Sequence, residues 1–178
     1  MKDKSNVGVC LMKGFSVSIF PVGSKVIYPS HGIGIVEKLE NRDVAGAVEP
    51  CYVIRFHRSG MTIMAPVRAS HSVGLRSVIP RREVSKIMKI LKEEKGGVIE
   101  SNWNKRQKLY LEKIKTGSIF EVAGVYRDLY FLRNTKGLSF GEQQVFDSAR
   151  QLIVSEIAES KGIREDKAEE LLVEALAN

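Results

Sequence analysis

The chain's single tryptophan, Trp103, stands in the run Ser101-Asn-Trp-Asn-Lys-Arg-Gln-Lys108, beside Lys105, Arg106 and Lys108. An aromatic ring among cations is the combination that nucleic-acid binding uses. Lysine and arginine neutralise phosphates, while a ring stacks on an unpaired base or presses against a distorted step, worth roughly 1–3 kcal/mol per base. A lone tryptophan is also a common core anchor, so residue chemistry by itself leaves both roles open. Residues 102–115 hold five basic groups (Lys105, Arg106, Lys108, Lys113, Lys115) and one acid, Glu112. On a 3.6-residue period Lys105, Lys108 and Lys115 share one broad face that Glu112 interrupts, with Leu111 and Ile114 expected toward the core. Asn102 is a good N-cap, and the first-turn amides of such a helix favour a phosphate.

Other chemistry is sparse. His31, His57 and His71 fall in turn-like or strand-end contexts, and with Cys10 and Cys51 they match no zinc-ligand spacing. There is no P-loop, dinucleotide fingerprint, nucleophile elbow or H-E-x-x-H. The expectation is a non-enzyme with no catalytic residue, no metal and no cofactor. Cys51 reads as a small buried apolar residue, and Met61 and Met64 as packing or a partner-binding surface. A hydrolase built on the C-terminal carboxylates would need an acid pair converging in a cleft.

Charge is unevenly placed. Of 178 residues, 28 are Lys or Arg and 21 Asp or Glu, a net +7. Residues 77–116 carry 11 basic and 5 acidic residues, whereas 117–178 carry 7 and 11, so a basic block precedes an acidic tail. A local positive stripe is the footprint of a phosphate-backbone binder, although a solvated helix face has the same composition. No apolar run approaches the roughly 20 residues of a membrane-spanning helix. Two cysteines form no disulfide framework, so a reducing cytoplasm is the default; a monomer is the default oligomeric state, which the residues leave open.

The elements that must position these residues change type near Pro80. Residues 1–20 do not read as a secretory signal, since Lys13 splits their apolar run and no small-residue cleavage site follows; they are expected as a flexible extension or an over-called start. Residues 21–76 read as short strands. Val26-Ile27-Tyr28 is halted by Pro29, and the runs 51–56 and 61–67 are joined by His57-Arg58-Ser59-Gly60, a hairpin signal. Four or five strands in about 50 residues suggest a small barrel of the SH3 or Tudor kind, whose closure would remove its edges. Residues 77–81 are a linker, and 82–178 read as five helices. Arg82–Glu94 has Val84, Ile87, Met88 and Leu91 on one face; a second helix spans Asn102 to Lys115. Ser118…Glu121 and Ser139…Glu142 are capping-box patterns opening the third and fourth, and Ala168, Leu171, Leu172, Ala175 and Leu176 mark the fifth. The fold class is thus a two-domain α+β chain, a Tudor/SH3-like β-barrel followed by an all-α domain.

Three motifs carry a family likeness: Val22-Gly-Ser-Lys-Val-Ile-Tyr-Pro-Ser-His-Gly-Ile-Gly34, Asn102-Trp-Asn-Lys-Arg106, and Arg127-Asp-Leu followed by Gly137-Leu-Ser-Phe-Gly-Glu142. Together they resemble the CarD/CdnL family of bacterial transcription regulators over residues 20–178. The resemblance implies a Tudor-like module that binds the β subunit of RNA polymerase and a helical domain that binds promoter DNA just upstream of the melted region. Trp103 matches the family's tryptophan, held to sit in the minor groove at the upstream fork and hinder bubble closure. Arg106 matches a basic residue of that DNA face, with Lys105 and Lys108 in the same stretch. Arg42 aligns with a polymerase contact in the turn after the second strand, and Thr62-Ile-Met-Ala-Pro66 with another contact strand, some members having arginine where this chain has Met64. A different class of function remains open: a protein-binding adaptor, with an SH3-like peptide reader, a helical docking scaffold and no DNA contact.

Overall fold

The computed structural model describes residues 8–12, 15–56, 58–93 and 102–177. The chain divides into two compact units between Ser77 and Val78.

In the first unit, β1 (Gly8–Met12) and β2 (Phe15–Ile19) form an antiparallel ladder within the stretch expected as a flexible extension. Its Val9, Val17 and Ile19 are of the β-branched type that favours strands. The main sheet comprises β3 (Lys25–Tyr28), β4 (Gly32–Val44), β5 (Ala47–Arg55), β6 (Thr62–Pro66) and β7 (Arg76–Ser77). It is antiparallel throughout, in the order β6-β5-β4-β3-β7. The expected closure into a barrel is not seen: β6 and β7 are the two edges of an open sheet. At two residues, β7 pairs only with β3 and is too short to bridge to β6.

The hairpin foreseen between the runs at 51–56 and 61–67 is present, with Arg55 opposite Thr62; His57 lies outside the described residues. A longer hairpin joins β4 to β5 through Ala45-Gly46, both at positive φ (+56° and +83°), the twist two-residue hairpins prefer. Asp43 Oδ1 accepts the Gly46 amide at 2.9 Å. The apolar side of the sheet gathers Phe20, Val26, Val36, Tyr52, Ile54, Phe56, Ala65 and Leu75. Gly34 has to be bare here, because a Cβ on it would sit 2.5 Å from Ile54 Cγ2. Cys51 is buried as expected, and burial pushes its thiol pKa up.

The second unit contains five helices: α1 (Val84–Lys92, entered by a 3-10 turn at Arg81–Glu83), α2 (Trp103–Lys115), α3 (Ile119–Lys136), α4 (Phe140–Lys161) and α5 (Glu165–Ala177). Ile87, Leu91, Ala123, Leu129, Ala149, Ile153, Ile157 and Leu172 are fully buried in one core to which all five contribute. Two buried charges hold the entry to this unit and the end of α1. The Ile79 amide donates to Glu156 Oε1 of α4 at 3.1 Å, and Arg127 of α3 donates to the Ile90 carbonyl at 3.0 Å. No helix of the described residues is long and apolar enough to cross a membrane.

Only one of the two capping patterns closes. Ser139 and Glu142 exchange both bonds at the start of α4. Ser118 caps nothing with its side chain; its amide donates to Thr116 Oγ1 at 3.1 Å, and Glu121 turns to Lys113 instead.

Candidate nucleic-acid interface

The start of α2 is built as its residues predict. Asn102 is extended (ψ 116°), and its Oδ1 accepts the amides of Asn104 at 3.0 Å and Lys105 at 3.4 Å. That cap fixes where the helix begins and puts Trp103 in its first position. It also occupies two of the first-turn amides expected to be open to a phosphate, so anion binding here falls to side chains.

Trp103 is half-buried. One part of the ring packs against the helical core and part stays accessible. Lys105 and Lys108 are exposed, and among the described residues neither forms an ion pair. Lys115 shares their exposed face. Ile114 is buried as expected, but Leu111 is 40% exposed. Its position on the helix falls near a right angle from the buried stripe, at the edge of the face rather than beneath it.

Arg106 is not on the outer face. It is 3% exposed, donates to Glu142 of α4, and its guanidinium carbon lies 5.5 Å from the centroid of the Trp103 ring. The helical period held the signal for this. Arg106, Tyr110 and Ile114 follow at i, i+4 and i+8, the stripe that α2 buries. A cation on that stripe requires a buried partner, and Glu142, 36 residues away, supplies it. Glu142 accepts the Ser139 amide at 2.8 Å and the Ser139 hydroxyl at 2.7 Å. Burial pushes its carboxyl pKa up, but the Ser139 donors and Arg106 together outweigh that and hold it below the ordinary range. Beneath the pair, burial and the nearby Asp128 carboxylate push the Tyr110 phenol up to about 12.

One exposed residue near this surface was not singled out from sequence. Phe140 is 80% exposed at the first position of α4, next to Gly141, which abuts the Trp103 ring. Nothing in its local pattern distinguishes it from a core phenylalanine. The arrangement therefore offers a partly exposed indole, an exposed phenyl ring and unpaired lysines at the converging starts of two helices.

In the first unit, Thr62 and Met64 are exposed on edge strand β6, Met64 at 55%, and Pro66 is half-buried at its end. Arg42 lies inside β4 opposite Glu49, not in a turn, and pairs with Glu40 at 2.9 Å. β4 simply runs further than its polar sequence suggests, because its pairing with β5 continues to Val44 and Ala47. Among the described residues no group of three His, Cys, Asp or Glu is placed to hold a metal ion.

Comparison with known proteins bears on both units. The CarD-like/TRCF RID domain matches residues 20–79, and the CarD C-terminal domain matches residues 86–173. A Bacillus subtilis (strain 168) protein named "Putative transcription factor YdeB" is 35% identical over 147 residues, which is 83% of this chain and 95% of that one. The chain belongs to the CarD family. The first match ends two residues past the division between the units and the second lies wholly in the helical unit, so Arg42, Thr62, Met64 and Pro66 of this CarD-family chain fall in one domain match and Trp103, Lys105, Arg106 and Lys108 in the other.

Proposed function

We propose that this protein is a non-catalytic, cytoplasmic transcription regulator that stabilises the open promoter complex. Its N-terminal unit, Tudor-like in character, binds the β subunit of RNA polymerase through edge strand β6 (Thr62, Met64, Pro66) and Arg42. Its C-terminal unit binds promoter DNA at the upstream edge of the bubble, largely without regard to sequence and on the minor-groove side. The observation that carries this reading is the half-buried Trp103 indole at the start of a cationic helix, in a chain of the CarD family.

The geometry supports a role for each residue. Lys105 and Lys108 neutralise phosphates and set position; the indole presses against an unstacked step. Arg42 sits beside Glu40 and opposite Glu49, so it offers its charge to a partner as part of a polar cluster on the sheet. With Met64 on β6, the edge-strand contact is apolar packing plus main-chain groups. Binding polymerase raises the effective concentration of the second unit at the promoter, so its own DNA affinity can be modest. A ligand shifts the closed–open equilibrium only by its differential affinity for the two states, and about 1.4 kcal/mol, within reach of one stacked ring, is tenfold.

Two measurements test the reading. The full-length protein is expected to be retained by the polymerase β subunit, and its affinity for forked promoter DNA to fall steeply and linearly on a log–log plot against salt. Polymerase binding with absent or salt-insensitive DNA binding would replace it with the adaptor reading.

A further inference from the structure

Arg106 is the one cation of the tryptophan run that lies beneath the surface, and its place relative to the indole suggests what it does there. We propose that Arg106, Glu142 and Gly141 set the pose of the Trp103 ring, and that Arg106 acts through that ring as a positioning residue rather than by contacting a phosphate. The inference rests on the reading of Trp103 as the DNA-facing group.

The contacts form a chain from ring to backbone. The guanidinium lies within cation–π reach of the indole, at 5.5 Å. The same guanidinium donates to Glu142 Oε1, while Glu142 Oε2 is engaged separately by the amide and hydroxyl of Ser139. Each carboxylate oxygen therefore has its own task, one for the arginine and one for the cap of α4. A planar guanidinium can hold a carboxylate and lie over a ring at once; an ammonium can do only the first. At 3% exposure Arg106 cannot meet a phosphate without surrendering Glu142.

Gly141 supplies the other boundary. A Cβ built on it would lie 3.0 Å from Trp103 Cζ2, 3.6 Å from Cε2 and 3.7 Å from Nε1. Its backbone φ is not positive, so no left-handed conformation requires a glycine there. In a helix a glycine is unfavourable relative to alanine, and what it provides is room for the benzo edge of the indole against the bare backbone of α4. Held between this floor and Arg106, the ring is in place before DNA arrives. Ordering one side chain on binding commonly costs a factor of roughly 2 to 13 in affinity, which a ring fixed in advance avoids.

Trp103 is the chain's only tryptophan, so its fluorescence reports the pose in the full-length protein with neither DNA nor polymerase present. Three variants separate the possibilities: Gly141→Ala, Arg106→Lys, and the double change Arg106→Met with Glu142→Met. The first two are expected to shift the emission to the red and to increase acrylamide quenching while helical circular dichroism is retained. All three are expected to weaken the effect on open-complex lifetime by roughly 2- to 13-fold, with the salt slope of DNA binding unchanged. Unaltered emission and quenching in both G141A and R106K would overturn the proposal. So would a salt slope reduced by about 0.9 in the double variant, the signature of one lost phosphate contact. If the fluorescence responds as expected but the wild-type protein binds no DNA, the positioning role stands and the DNA reading fails.

Discussion

Removing Arg106 alone is the sharpest perturbation that the structure offers. In Arg106→Met the Glu142 carboxylate, 4% exposed, keeps its two Ser139 donors but loses its cationic partner. Breaking one side of a buried ion pair costs about 3–5 kcal/mol, because the remaining charge stays desolvated. The Ser139 bonds offset part of that, which places the expected loss near the lower end, about 3 kcal/mol. Replacing both partners by methionine removes the stranded charge. What is then lost is the reciprocal cap of α4, about 1 kcal/mol, so the double variant is expected to be more stable than Arg106→Met. Urea unfolding followed by Trp103 fluorescence reads this in the unit that contains the pair. With an m-value of about 1–3 kcal/mol/M, the midpoint of Arg106→Met should fall by 1 M or more at unchanged m. A midpoint within about 0.2 M of wild type, or a double variant less stable than the single, would refute the argument that this pair is dry and coupled.

Four further outcomes are expected. Lys105→Gln with Lys108→Gln should lower the salt slope of forked-DNA binding by about 1.8, or roughly twelvefold less affinity loss between 50 and 200 mM salt. Because Glu142 has a folded pKa below its unfolded one, its stabilisation is complete above the unfolded value and lost as pH falls through the carboxylate range and below; Glu142→Gln should flatten that acid limb in urea titrations at stepped pH. Gly34→Ala, whose Cβ would meet Ile54 Cγ2 at 2.5 Å, should destabilise the sheet unit by about 1–3 kcal/mol, the usual cost of overpacking, read by circular dichroism of the isolated transition. Ala45→Asn or Ala45→Gly should instead stabilise it by a few tenths to 1 kcal/mol, since alanine at φ +56° carries left-handed strain.

Much of the helical unit was legible because its signals are local. Asn102 and the Ser139–Glu142 pattern act within four residues, and the apolar period of each helix needs no partner to be recognised. The same reasoning fails at Ser118–Glu121, where the pattern is complete but Thr116 and Lys113 compete for its two members. Arg106 was harder. Three cations close together invite one role, yet the helical period separates Arg106 from its neighbours and puts it with Tyr110 and Ile114. Its partner Glu142 cannot be found without the tertiary fold. In the sheet unit, the strands and the β5–β6 hairpin were visible, whereas the β4–β5 turn was not, because Ala45 lacks the asparagine or glycine such turns prefer. The open sheet differs from the expected barrel for a related reason. Closure depends on how long the last strand is, and the residues around Arg76–Ser77 give no sign that pairing stops after two.

In the proposed function the Trp103 ring itself holds the separated strands apart while polymerase is bound elsewhere on the protein. The lifetime of heparin-challenged open complexes tests it most directly, comparing wild type with Trp103→Ala at concentrations where both saturate polymerase. The variant is expected still to bind the β subunit and to lose most of the lifetime extension. A variant that prolongs the open complex as well as wild type would contradict it.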